Sequence, residues 1–304
     1  MRSKVTKLIP KKCRIWIRGL PVLSLVLNRR QALQYATTTK RLDECLNEFA
    51  EINRMTGFGP RDKVCLEIGA GWVLSHSLAM YVLGARAIIS TDINRLAFPE
   101  MLSTAVNGAA DKIDWDKLAS LGDVREMKSR FEHLCSIKKF TFKILDSLGV
   151  EYVAPIDLAE RALGRPVDFI YSHAVLEHVP TQFALPLIRN LAADLTENGR
   201  MYHGIHLEDH ESKDAPFAFF SESARAYIPR IQSARGNRIR KSGWNRIFSQ
   251  IDGVSFQYII DKPNTEAGLP EKIDPSVEYT DELDLRSAHL SVWAVKKPAA
   301  TQPA

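Results

Sequence analysis

The sequence predicts an α/β protein: a doubly wound sheet of about seven strands, mostly parallel with an antiparallel last strand, plus a helical insertion. Three observations predict it. Short β-rich runs alternate with helix-length segments from residue 63 onward. The first run ends in an acid followed by a Gly-x-Gly turn, LEIGAGW. Two runs of β-branched and aromatic residues, GVSFQYII and LSVWAVK, come last.

In chain order, Leu42, Cys45, Leu46, Phe49 and Ile52 recur at helical spacing, and Gly57 with Gly59-Pro60 ends that run. KVCLEI then reads as a strand, GAGW as a turn, LSHSLAMYVLGA as a helix stopping near Gly84, and RAIIST as a second strand. Residues 95–149 are polar and helical, longer than an ordinary connection, and read as an insertion. Alternation resumes with VEYVAPI, VDFIYS, a helix over 181–195, a turn at Asn198-Gly199 and the strand RMYHGI. A second insertion, at about 206–246, precedes the two closing strands. The expected organisation is therefore a basic leader over 1–41, one domain over 42–298 and a disordered tail at 299–304.

Composition narrows the class. With 304 residues and 45% hydrophobic content the chain can bury a full core. No stretch approaches the roughly 20 apolar residues a membrane span needs; Leu20 to Leu27 is interrupted by Pro21 and closed by Arg29 and Arg30. A soluble, cytoplasmic protein is expected. Cys13, Cys45, Cys65 and Cys135 lie too far apart to suggest a zinc knuckle or a disulfide framework. The net charge of +5 is uneven, because residues 1–42 hold eleven Lys or Arg and no acid. That leader suits peripheral contact with an anionic membrane, an acidic partner or a targeting role, and equally a solvated terminus.

The turn after the first strand is where chemistry is legible. A dinucleotide brings a pyrophosphate to such a turn, whereas S-adenosylmethionine brings an ammonium and a sulfonium; Glu67 favours the cation. The dinucleotide pattern G-x-G-x-x-G also fails, since Leu74 stands at its third glycine. Asp92 ends the second strand, where a carboxylate accepts ribose hydroxyls, or else caps the next helix. Asp157 follows the third strand, placed for an adenine amino group or simply as a solvated loop acid.

Taken together, LEIGAGW, STDIN, APIDL, VDFIYSHAVLEHV and LTENGRMYHGI resemble the motifs of class I S-adenosylmethionine-dependent methyltransferases, in order and placement, over about Lys63 to Ile205 plus the closing strands. The resemblance implies a Rossmann-like fold, an enzyme and S-adenosyl-L-methionine as cofactor. It implies that Glu67, Gly69, Ala70 and Gly71 line the methionine end, that Asp92 with Ile93 meets the ribose, and that Asp157 meets the adenine. Ser172 and His173 match the wall beside the reacting sulfur. Val73 departs from the small residue common there. SHAVLEHV resembles small-molecule and glycan O-methyltransferases more than the N-P-P-Y type, and HGIHLEDHES with N-R-I-R resembles bacterial methyltransferases of that kind.

A hydroxyl acceptor needs a base. His76, His173, His178, His203, His206 and His210 all fall near predicted strand ends, and the expected catalytic residues are His206, Asp209, His210 and His178, with Glu177 beside them. The same segment offers ligands to a divalent ion, but metal-free catalysis is the expectation and no metal ligand is assigned. ARGNRIRKSGWNR groups Arg235, Arg238, Arg240, Lys241 and Arg246 around Trp244, which reads either as an anion and sugar platform or as a solvated helix face. The acceptor expected is a small molecule or glycan. An RNA or protein methyltransferase, using leader and arginines as its footprint, stands behind it because no RNA-binding module is present. A catalytically silent scaffold is the reading from another class.

Overall fold

The computed structural model describes residues 21–227 and 235–298. The leader up to residue 20, part of the second insertion and the tail at 299–304 lie outside the described residues.

Seven strands among the described residues form one sheet: β1 Val64–Ile68, β2 Ala87–Thr91, β3 Val150–Val153, β4 Val167–His173, β5 Leu195–His206, β6 Val254–Pro263 and β7 Ser287–Lys296, in the order β3-β2-β1-β4-β5-β7-β6. β1 runs parallel to β2 and β4, and β4 parallel to β5, while β7 runs antiparallel to both β5 and β6. This is the predicted fold class. The central strands read as near-continuous apolar runs because a parallel sheet is covered on both faces. The direction of strand succession reverses between β1 and β4, the position at which sheets of this kind commonly bind ligands at their carboxyl ends.

The chain divides into two compact units. One takes in the described residues up to Gly59 with Ala70–Gly84 and Asn94–Tyr152. It contains α1 Pro21–Thr37, α2 Leu42–Thr56, α3 Ser75–Val82, α4 Leu102–Asn107, α5 Trp115–Leu118, α6 Val124–Ser136 and α7 Phe142–Ser147. α1 begins inside the expected leader and buries Ala32 and Ala36. α2 buries the five apolar positions read from its spacing and ends at Gly57, whose φ of 65° lets its N–H reach the Asn53 carbonyl at 2.7 Å. The expected insertion is helical, and side chains of Asp114, Asp123 and Thr141 cap α5, α6 and α7. Here His76 is a structural histidine: it lies in α3, where Nδ1 accepts from Lys40 Nζ at 2.8 Å and Nε2 faces Glu48 at 3.1 Å.

The second unit holds Pro60–Gly69, Ala85–Ile93 and the described residues from Val153 on. Its helices include α8 Thr181–Asp194, α9 Ala224–Tyr227, α10 Lys241–Phe248 and α11 Glu282–Leu285. Leu187, Ile188 and Leu191 of α8 and Trp244 and Phe248 of α10 form one core with Leu66, Ile170, Met201 and Val292 of the sheet. The turn expected at Asn198-Gly199 is a bulge inside β5: Val167 pairs with Leu195, but Phe169 pairs with Arg200, so the intervening β5 residues loop out. Asn198 takes φ 60°, and a Cβ on Gly199 would stand 2.8 Å from the Thr196 carbonyl oxygen.

Arg240 is only 1% exposed and donates to the carbonyls of Leu207, Leu285 and Ser287 at 2.9, 3.2 and 3.4 Å. It thereby ties the segment leaving β5 to the segment leading into β7. Burial lowers its pKa to about 10, so it stays charged at neutral pH. Arg240→Met, which keeps volume but strands three buried acceptors, is expected to destabilise the protein by roughly 3 kcal/mol or more, read as a lowered denaturation midpoint.

Candidate functional site

The carboxyl edge of the sheet carries the acids expected from sequence. Glu67 is buried; its Oε2 accepts from Ser90 Oγ of β2 at 2.9 Å, and its backbone carbonyl accepts from Thr91 Oγ1 at 2.8 Å. These bonds lock the last turn of β1 to β2. Gly69 follows at φ 70°, and a Cβ there would stand 2.4 Å from Val175 Cγ2 beyond β4, so only glycine fits. Asp92 is buried directly after β2, and its carbonyl accepts from Ile156 N at 3.0 Å, bringing the chain leaving β3 alongside. Asp157 stands next, with Oδ1 accepting from Ala159 N at 2.8 Å. Ile93 is exposed. Ala70 and Gly71 belong to the other unit, where Gly71 takes φ 63°.

At the end of β4, Ser172 Oγ and His203 Nδ1 lie 2.8 Å apart and both side chains are fully buried. Only the backbone of Ser172 can therefore line a ligand, whereas His173 is exposed. Burial pushes His203 down to about 3, which makes it a neutral structural residue.

A second constellation lies wholly within the same unit. Ala174 leaves β4 at φ 54°, its N–H bonded to the Gly204 carbonyl at 2.9 Å, and the chain then makes a short helical turn over Leu176–His178. Asn237 clamps that turn by donating to the carbonyls of Leu176 and Val179 at 2.8 and 2.9 Å. Glu177 is 1% exposed. Its Oε1 accepts from the His206 backbone N–H at 3.3 Å and lies 3.7 Å from His210 Nε2, while Oε2 has no hydrogen-bond partner. Burial raises this carboxyl to about 8.

Around Glu177 the imidazoles form a chain. The rings of His178 and His210 are 5.0 Å apart edge to face, His210 and His206 4.6 Å, and His206 and His289 4.4 Å. His206 Nδ1 and His289 Nδ1 approach to 3.1 Å, and Glu208 Oε2 stands 3.6 and 3.8 Å from their Nε2 atoms. Glu208 is itself held by Asn264 Nδ2 at 2.7 Å. Burial, then neighbouring imidazoles, lower His206 to about 4, and burial likewise lowers His210 to about 4. Both therefore present neutral rings at neutral pH.

The structure thus brings His178, His206 and His210 together, and adds His289 and Glu208, which sequence reasoning missed. His289 reaches the site only because β7 is antiparallel to β5 in the register that sets it opposite His206. Asp209 is a correction. It is buried, and both its oxygens are held by Arg235, with Nε at 3.0–3.2 Å and Nη2 at 2.6 Å, so it positions Arg235 and is not a free base.

The arginine segment is a second correction, since neither a platform nor a solvated face is formed. Arg235 is engaged by Asp209 and Glu222, Arg238 by the carbonyls of Phe219 and Glu222, and Arg240 by the three carbonyls above. Trp244 is fully buried in the core; Lys241 pairs with Asp261, and only Arg246, paired with Glu278, is largely exposed.

No protein-family model and no curated protein matches the chain. Among solved structures it is similar to the magnesium protoporphyrin IX methyltransferase of Synechocystis PCC 6803, solved with bound SAH, at 16% identity and TM-score 0.43, over 84% of this chain and 83% of that one. It is similar to the plantazolicin methyltransferase BpumL, also in complex with SAH, at 10% identity and TM-score 0.46, over 92% of each chain. TehB from Haemophilus influenzae aligns at 14% identity and TM-score 0.41, over 83% of this chain and 62% of that one.

A buried histidine with a depressed pKa binds fewer protons folded than unfolded, so stability falls as pH drops from about 6.5 toward 3. Denaturation of His203→Gln at pH 7 and pH 4.5 is expected to show a smaller acid-induced loss than the parent protein.

Proposed function

We propose that this chain is an S-adenosylmethionine-dependent methyltransferase whose acceptor is a hydroxyl of a small molecule or glycan. One observation carries the reading: Glu67 near the end of β1, Asp92 directly after β2 and Asp157 after β3 stand at the carboxyl ends of three neighbouring strands, at the side of the sheet where succession reverses. A row of carboxylates suits a ligand that is cationic and rich in hydroxyl and amino donors, and it repels a pyrophosphate. That set of donors fits S-adenosylmethionine: Glu67 with Gly69 toward the methionine end, Asp92 toward the ribose and Asp157 toward the adenine. The motif resemblance points to the same assignment.

When bound, this cofactor supplies an electrophilic methyl group on a cationic sulfur. Protein groups supply position and a proton acceptor. His206 serves as the base, because its ring is neutral and partly exposed and its backbone is pinned by Glu177. An acceptor hydroxyl held there would give its proton to His206 as it reacts, and Glu208 beside Nε2 would stabilise the imidazolium formed. His289, bonded through Nδ1, orients the ring.

The acceptor class rests on the imidazole cluster, which suits deprotonation of a hydroxyl. An RNA acceptor is disfavoured because Arg235, Arg238 and Arg240, half of the expected footprint, are buried and internally engaged. Among the described residues no helix is long and apolar enough to cross a membrane. Peripheral contact through the leader remains a proposal resting on its charge.

Calorimetric titration is expected to show micromolar binding of S-adenosylmethionine and S-adenosylhomocysteine, lost in Asp92→Ala and absent for NADH; binding of NADH alone would overturn the reading. With an acceptor in hand, His206→Asn is expected to lower kcat by about 10²–10⁴-fold while leaving cofactor affinity unchanged.

A further inference from the structure

The molecule holds a second chemical feature that methyl transfer to a hydroxyl does not require. Glu177, His178 and His210 each offer a ligand atom, and these atoms all lie within 4.8 Å of one another. Two come from the turn after β4 and the third from the segment after β5, so the separation of the strands sets the spacing. Clustering alone would not define a site. The independent observation is the state of the buried atoms: Glu177 is 1% exposed and its Oε2 has no hydrogen-bond partner, and His210 Nε2 has none either, standing too far from Glu177 for a hydrogen bond. A buried carboxyl oxygen and a buried imidazole nitrogen left without partners beside each other are costly, and a single bound ion would satisfy both.

We propose that Glu177, His178 and His210 form a binding site for one divalent transition-metal ion, zinc being the first candidate. Two imidazoles and one carboxylate are a borderline-soft set that favours zinc and its neighbours over magnesium or calcium, which take mainly oxygen ligands. Three protein ligands leave a coordination position open, as in catalytic sites, whereas structural zinc sites are closed by four. In a tetrahedral site with bonds of about 2.1 Å, ligand atoms stand roughly 3.4 Å apart. The 3.7 Å between His210 Nε2 and Glu177 Oε1 is close to that spacing, and small side-chain rotations bring in the rest. The surrounding protein supports the ligands: Asn237 fixes the turn bearing Glu177 and His178, and the Arg235–Asp209 pair fixes the residue before His210. The neighbouring triplet of His206, Glu208 and His289 also has ligand geometry. It differs in that Glu208 Oε1 is bonded to Asn264 and the two histidines are bonded to each other, so its groups are satisfied without an ion.

The inference stands on these side chains and does not depend on the cofactor assignment. The test is equilibrium binding of zinc to the full chain, after stripping with a chelator, by competition with a chromophoric chelator. Cobalt(II) absorption serves as a second readout of coordination by nitrogen and oxygen. One equivalent is expected, with Glu177→Gln and His210→Asn each weakening binding by more than about 100-fold, beyond the effect of an outer-shell change. His289→Asn is expected to leave zinc affinity unchanged, and circular dichroism with a thermal melt establishes that each variant is folded. Absence of stoichiometric binding overturns the proposal, as does binding lost in His289→Asn but retained in His210→Asn, which would move the ion to the other triplet. Titrating S-adenosylmethionine into the same samples separates the two readings: cofactor binding without zinc removes the metal site alone, and zinc binding without cofactor removes the methyltransferase reading alone.

Discussion

The segments that carry the histidine cluster are tied together by a single buried cation. Arg240 sits in the core with its charge intact and donates through both terminal nitrogens to backbone carbonyls of three residues on two segments of chain. A guanidinium suits this role because it carries several donors in a rigid plane, so one side chain can serve strands that do not follow each other in sequence. Leu207 and Ser287 flank His206 and His289, and the same side chain that holds these carbonyls therefore also fixes the separation of the two rings. The arginines at 235 and 238 extend the same internal framework by engaging acids and carbonyls around Glu222.

Two environments of opposite character lie within one unit. At the carboxyl ends of β1 and β2 stand acids bonded to hydroxyl and backbone groups, a setting that receives positive charge. Beyond β4 and β5 stand neutral imidazoles around a carboxyl that burial keeps from ionising at neutral pH. The first environment is one of negative charge, and the second holds imidazoles in an uncharged state.

Much of this was legible in the sequence for physical reasons. The strands were readable because burial on both faces demands apolar runs, and the acids because they end those runs. α2 was readable because five of its buried side chains repeat at the helical period. The histidine chain was only half readable: His178, His206 and His210 lie near strand ends, but His289 and Glu208 enter through the antiparallel register of β7 and through a contact with Asn264. Such pairings leave no local trace. Arg235, Arg238 and Arg240 misled for a related reason, since a run rich in arginine looks solvated unless the carbonyls and acids that receive it are already known. Likewise His76 sits beside the glycine turn in sequence yet serves helix packing, and Asn198-Gly199 makes a bulge where a turn was expected.

The position of β7 has a consequence for biosynthesis. This strand lies between β5 and β6 although it is made after both, so β6 leaves the ribosome with no strand of the sheet to pair with. Until residues 287–296 emerge, β5 also presents an unsatisfied edge, the kind of surface that invites pairing with another chain. Vectorial synthesis therefore completes the β1–β2 side of the sheet early and the histidine chain late, with His289 arriving as its last member.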